Sequence, residues 1–305
     1  MNKSPLKKKI RRSIAALILT VFIRCIRMLP ESRVRACGRY LGSALAFFLS
    51  GLRKQAEFQI QERLPGYGKA ESRVLVRDMF KHIGYNTVET IRLFSMTPEK
   101  RMAMVDAEGI DQFRSIFKRG KGLIAVTGHI GCWELLAAYF SDLGFPVNVV
   151  ARRRSNKAIG RKITDLRSSY GVVELDRESD GRKMFRALKR GEVVAMLVDQ
   201  DTRVDGMFSP FLGKLAHTPT GHARLAYRTG APLVVLSIHR RRSGRHVITV
   251  HEEIDRPEGD EAEVVAAIVH QCNELLSSII KSFPDQWIWF HRRWRRRPPH
   301  EKTPE

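Results

Sequence analysis

A histidine follows directly on a run that reads as a buried strand. After Gly122–Thr127 (GLIAVT) come Gly128-His129-Ile-Gly-Cys-Trp-Glu134. Glu134 sits five positions beyond the histidine, in the first turn of the next expected helix. A histidine paired with a carboxylate is what activation of a hydroxyl requires: the carboxylate fixes the ring tautomer and stabilises the imidazolium that forms. Gly128 and Gly131 let the backbone turn tightly and let a ligand approach. The helix start adds free N–H groups and a positive dipole end. Alone, H-x4-E is a weak signal, because a histidine after a strand is more often a satisfied structural residue. Cys132 lies between the two, and a core cysteine facing its helix explains it as well as a nucleophile does. Other chemistries lack their motifs: there is no G-x-S-x-G elbow, no G-x4-G-K-[ST] phosphate loop and no H-E-x-x-H zinc helix.

These residues need a scaffold, and the sequence outlines one. From Gly122 onward, β-rich runs alternate with amphipathic stretches. Strands are expected at Pro146–Ala151, Val172–Leu175, Glu192–Val198, Leu233–His239 and His246–Glu252. Helices are expected at Gly131–Leu143, Lys157–Tyr170, Gly181–Arg190, Pro219–Arg228 and Glu261–Phe283. Such alternation predicts a single α/β domain with a largely parallel sheet flanked by helices. Sites in such sheets lie beyond the carboxyl ends of the strands. No repeat or low-complexity linker interrupts the 305 residues. The expected organisation is a basic anchor over 1–30 and a catalytic domain over 31–300. Within that domain, 31–121 reads as a helical, membrane-proximal part and 122–300 as the α/β part.

Several segments together resemble the lipid A biosynthesis acyltransferases. GHIGCWE is similar to the H-x4-[DE] motif of glycerolipid acyltransferases. Val150-Ala-Arg152-Arg-Arg-Ser-Asn156 resembles a V-x-R-P-x-D-N segment, matching at Arg152 and Asn156 and departing at Arg153 and Ser155. Arg167 falls where the family has a functional arginine before its next strand. Glu192–Val198 ends in Asp199-Gln200-Asp201, similar to the family's D-[QH]-D, and Trp287–Pro298 resembles its W-x-x-H-[RK]-R-[FW]-x-x-R-P ending. The resemblance implies transfer of a fatty acyl chain from acyl carrier protein to a hydroxyl of a lipid A precursor, with no other cofactor and no metal. It implies His129 as general base oriented by Glu134, and an oxyanion held by Arg167 or by N–H groups near Gly131. Asp199 would hold Arg167 or position the acceptor. Arg152, Asn156, Gly131 and Asp201 would contact substrate. The runner-up acceptor is another glycolipid or a lysophospholipid.

Charge agrees with an anionic partner. Lys and Arg outnumber Asp and Glu by 54 to 32, giving a formal net charge of +22. Arg152–Arg154, Arg240–Arg242 and the tail arginines are expected to meet lipid phosphates, anionic inner-membrane lipids or the acidic acyl carrier protein. A nucleic-acid binder would share the charge and the Trp–Arg tail, but leaves the His-Glu pair and the apolar N-terminus unexplained. Lys3–Arg12 precede an uncharged run, Ser13 to Ile23, and a second apolar run covers Tyr40–Leu52. Eleven helical residues span about 17 Å, against roughly 30 Å of hydrocarbon. Basic residues flank both runs, which favours a helical pair lying in the inner leaflet on the cytoplasmic face of the inner membrane, with a marginal single span as the alternative. A signal peptide would need a small-x-small cleavage site, which does not follow. Four scattered cysteines without a C-x-x-C pair fit a reducing compartment.

Overall fold

The computed structural model describes residues 20–154 and 157–298. Asn156, most of the first basic and apolar segment (residues 1–19) and residues 299–305 lie outside it. The described chain begins in α1 (residues 20–27) and continues through α2 (Glu31–Phe48), α3 (Ser50–Arg63), α4 (Lys69–Leu93) and α5 (Pro98–Met102). Among the described residues no helix is long and apolar enough to cross a membrane. The second apolar run forms the end of α2 and the start of α3, and Phe47, Phe48, Leu49 and Leu52 are exposed where the two helices meet.

A tight crossing joins α2 to α4. Gly38 and Gly42, one turn apart, face Gly84, and a Cβ at Gly84 would lie 2.0 Å from the Gly38 carbonyl oxygen. Small residues let the two backbones touch, so α4 is drawn in beneath α2.

One seven-stranded sheet forms the centre, in the order β1-β9-β8-β2-β5-β3-β4. Its strands are β1 (Val105–Glu108), β2 (Leu123–Thr127), β3 (Val147–Ala151), β4 (Val173–Asp176), β5 (Val193–Leu197), β8 (Leu233–Arg240) and β9 (His246–Glu253). All neighbours are parallel except β8 and β9, an antiparallel pair. Every residue of β2 is buried, and alternation divides them between two cores. Ile124 and Val126 join the core under α3, α4 and α11 (Glu261–Ser282), which also contains Trp287, Trp289 and Trp294. Leu123 and Ala125 join the core under α6 (Ile110–Phe117), α7 (Trp133–Asp142) and α8 (Lys157–Ser169). The remaining helices are α9 (Gly181–Lys189) and α10 (Gly221–Thr229).

The expected strands and helices from Gly122 onward all form, with ends shifted by a residue or two. Two features escape the sequence pattern. The short β1 (VDAE) is half exposed and has almost no apolar periodicity, yet it closes the sheet edge beside β9 from within the part expected to be helical. A separate hairpin, β6 (Gly206–Phe211) and β7 (Lys214–Pro219), lies between β5 and α10.

Candidate active site

Adjacent parallel strands bring two loop starts together. The register of β2 on β5 pairs Thr127 with Leu197, so two residues further on His129 lies beside Asp199. Asp199 Oδ1 is 2.8 Å from His129 Nδ1, and Asp199 Oδ2 accepts from the His129 backbone N–H at 2.6 Å and from Trp287 Nε1 at 2.8 Å. The carboxylate is fully buried. Burial works to raise its pKa, but the His129 ring and the three donors prevail and hold it below the usual carboxylate range.

The turn is held on every side. A Cβ on Gly128 would press on the Asp199 carboxylate at 3.1 Å. Gly131 has φ +56°, and a Cβ there would meet the Ile238 carbonyl oxygen at 2.0 Å. The Gly131 N–H donates to the Gln286 carbonyl at 3.1 Å, the Ile288 N–H donates to the His129 carbonyl at 3.3 Å, and Asn86 Nδ2 donates to the Gly131 carbonyl at 2.8 Å. Asn86 in turn accepts from Arg240, whose guanidinium grips Glu89 with both ends. Burial would raise the pKa of Glu89, but the His246 bond and the Arg240 charge lower it to about 2. A buried network of charged side chains thus ties the turn to α4.

Glu134 does not orient His129. Its oxygens take a bidentate grip from Arg167, at 2.6 and 3.1 Å, and a bond from the Tyr170 hydroxyl at 3.1 Å. Burial opposes its ionisation, and the Arg167 charge more than offsets it, so its pKa is lowered. Five positions past His129 the chain has turned into α7, and the side chain faces α8 rather than the strand end. Arg167 also bonds Glu174 at 2.6 Å, so Asp199 does not hold it. Asp201, expected to meet substrate, is buried and paired with Arg295 and Arg296 at 3.3 and 2.6 Å. Gly131 serves as a hinge of the turn, and its N–H is taken. Arg152 is exposed beside Glu178 at 3.5 Å. Of the tail arginines, Arg293 is wholly buried on the His217 carbonyl and Thr218 Oγ1, whereas Arg292, Arg295 and Arg297 are exposed; Arg240, in the other arginine cluster, is buried as described. Burial pushes the Cys132 thiol up to about 12, which opposes formation of the thiolate a nucleophile needs.

Part of this arrangement borders a cavity of about 770 Å³. His129, Gln200, Cys132, Trp133, Glu134 and Arg167 lie along it. Its lining mixes apolar side chains, Ile83, Ile91, Phe94, Ile159, Ile163 and Leu166, with basic ones, Arg27, Arg152, Arg154, Lys162 and Arg177. Behind Trp133 a narrow apolar cavity of about 50 Å³ continues between the sheet and α6–α7, past Phe113, Phe140 and Val147. Gln200 and His291 were not singled out from sequence. Gln200 is flanked by the motif aspartates, a usable hint; His291 lies 92 residues beyond Asp199, and no local pattern links them. Among the described residues no group of three or more His, Cys, Asp or Glu side chains is placed to hold a metal ion.

A family model described as bacterial lipid A biosynthesis acyltransferase matches residues 1–296. The chain belongs to this family. It is therefore an acyltransferase of the lipid A biosynthesis family. It is similar to the lipid A biosynthesis lauroyltransferase of Escherichia coli K12, 30% identical over 275 residues, 88% of either chain. The palmitoleoyltransferase of the same organism is 25% identical over 282 residues, 90% of this chain and 89% of its own. A phosphatidylinositol mannoside acyltransferase of Mycolicibacterium smegmatis is 24% identical over 210 residues, 68% of this chain and 67% of its own.

Proposed function

We propose that this acyltransferase moves a fatty acyl chain from acyl carrier protein to a hydroxyl of a lipid A precursor, with His129 as general base and Asp199 as its partner. The observation that carries the reading is the His129–Asp199 pair at the wall of a cavity lined by both apolar and basic side chains. Asp199 places the ring proton on Nδ1 and leaves Nε2 bare. The acceptor hydroxyl gives its proton to Nε2 as its oxygen attacks the thioester carbonyl carbon. The tetrahedral oxyanion collapses, the C–S bond breaks, and the departing thiolate takes the proton back from the imidazolium. No enzyme nucleophile is needed. The first turn of α7, where Cys132, Trp133 and Glu134 line the cavity, offers backbone N–H groups for the oxyanion. Arg167, locked between two glutamates, fixes the α7–α8 wall instead.

The apolar side chains of the lining suit the acyl chain, and the basic ones suit acceptor phosphates or the acidic carrier protein. The exposed corner at Phe47, Phe48, Leu49 and Leu52, with Arg53 and Lys54 beside it, suits an anionic inner-membrane surface on the cytoplasmic side. The mannoside acyltransferase relative favours a second reading, in which the acceptor is another glycolipid. Mass spectrometry of lipid A from a deletion strain decides between them. Loss of one acyl mass, restored by wild type and not by His129→Ala, supports the first reading. Unchanged lipid A with a changed glycolipid supports the second.

A further inference from the structure

Six lysine and arginine side chains line the cavity, and four of them already have carboxylate partners. Arg167 is shared between Glu134 and Glu174, at 2.6 Å each. Arg154 reaches Glu174 at 3.5 Å. Arg152 and Arg177 both reach Glu178, at 3.5 and 3.4 Å. An anion that binds any of these four must compete with a carboxylate of the protein. Arg27 and Lys162 differ: among the described residues neither forms an ion pair.

Arg27 ends α1. Its neighbour Ile26 is buried in a small cluster with Val34 of α2 and Val88 of α4, which fixes that end of the helix. The Arg27 guanidinium lies over the Phe94 ring, 4.8 Å from its centroid, and Phe94 also lines the cavity. Contact through the face of the group leaves its N–H edge open, and that edge makes two parallel bonds to a phosphate. Lys162 comes from α8 and acts as a point charge. Asp165, three residues on, lines the same cavity without pairing with it. The groups that react, a hydroxyl and a thioester, are neutral. Two unmatched cations therefore serve an anionic group elsewhere on a substrate, and a phosphate ester has both the charge and the oxygens for a fork and a point charge together.

We propose that Arg27 and Lys162 bind a phosphate ester carried by one of the two substrates. This rests on the reading of the cavity as the acyl-transfer site. The phosphate belongs to the glycolipid acceptor or to the phosphopantetheine arm that carries the acyl thioester, and the chemistry of the contact is the same for both. The four paired arginines shape the wall, while these two read the substrate.

Removing the charge from the protein and from the substrate in turn tests the contact. Purified wild type, Arg27→Gln, Arg27→Lys and Lys162→Gln are compared on acceptor with and without its phosphate, and on acyl-phosphopantetheine against acyl-pantetheine. Arg27→Gln should raise KM for one phosphorylated substrate by about tenfold, the scale of a hydrogen bond to a charged group. Lys162→Gln should raise it by about threefold, as for an exposed ion pair, and kcat should hold in both. Arg27→Lys should fall between wild type and Arg27→Gln, since it keeps the charge and loses the fork. Without the phosphate, wild type should bind as weakly as the variants and the differences should vanish. The substrate that shows this identifies the source of the phosphate. Lys118→Gln, at the end of α6 and outside the cavity, controls for net charge, and unfolding temperatures confirm that each variant is folded. An equal KM ratio with and without phosphate on both substrates overturns the proposal. So does a KM effect that disappears when anionic lipid is left out of the assay, which would mark attraction to a surface. Wild-type transfer to a different glycolipid alone ends the lipid A reading, and the same comparison on that glycolipid, with and without its phosphate, still decides the two cations.

Discussion

At the scale of single residues the site divides into two units that share a cavity wall. His129, Asp199, Gln200, His291 and Trp287 make one; Glu134, Arg167, Tyr170 and Glu174 make the other. Removing charge from Asp199 leaves the ring without a partner that favours the imidazolium. Asp199→Asn should therefore lower kcat by about 10²–10⁴-fold, the range that general-base catalysis supplies. Glu134→Gln should weaken the Arg167 grip and lower activity through the wall. Its effect should combine non-additively with Arg167→Ala and nearly additively with Asp199→Asn. Steady-state kinetics on the singles and both doubles measure this. Strong coupling of Glu134 to Asp199 instead would put the two carboxylates back into one unit.

At the scale of elements the site depends on how α4 and the tail are held. Gly84 sits where α2 crosses α4, and its missing Cβ is what allows the approach. Gly84→Ala forces backbones apart and should cost about 1–3 kcal/mol or more, read as a fall in unfolding temperature. Gly51→Ala, in α3 with nothing within 4 Å, is the matched control and should be neutral or mildly stabilising. Part of the tail is built into the structure. Arg296 bonds Asp201 and the Thr202 carbonyl, so Arg296→Glu should place two carboxylates together and destabilise the loop after β5. Denaturant unfolding should show the loss even at high salt, since the covered Asp201 side chain is poorly screened. Full recovery of stability by salt would return Arg296 to the surface class.

At the scale of the whole molecule, pH acts on the fold through its buried histidines and carboxylates. His222 and His291 are both pushed by burial from 6.5 to about 4. A histidine whose folded pKa is depressed takes up its proton first in the unfolded chain, so stability falls as pH drops from 6.5 towards 4. Neither ring nitrogen of His222 has a hydrogen-bond partner among the described residues, so His222→Leu is compatible with the site. Urea unfolding between pH 7.5 and 4 should lose up to about 3 kcal/mol per histidine, and His222→Leu should flatten the slope. The lowered carboxylates, Glu89 and Asp199, add a further loss at still lower pH, because they protonate first when unfolded. The exposed corner of α2 and α3 should bind membrane. A Phe47→Ser, Phe48→Ser double variant should leave anionic vesicles more readily than wild type in a flotation assay. Equal retention would place the attachment elsewhere in the chain.

Local sequence determined the alternation of strands and helices from Gly122 onward, because side-chain burial repeats with the period of each element. It also determined that His129 follows a buried strand and that Asp199 follows another, and these motifs together carried the family. It could not determine which carboxylate faces the histidine. Glu134 is near in sequence, but the turn into α7 carries it towards Arg167; Asp199 is 70 residues away, and the parallel register of β2 and β5 delivers it. Strand order is a long-range choice made by the packing of both helical layers, so spacing along the chain holds no trace of it. The same reason hides β1, whose residues have little apolar pattern and acquire a strand from β9. It also hides His291, which reaches His129 because Trp287 and its neighbours bury beneath the turn and pull the tail across the strand ends.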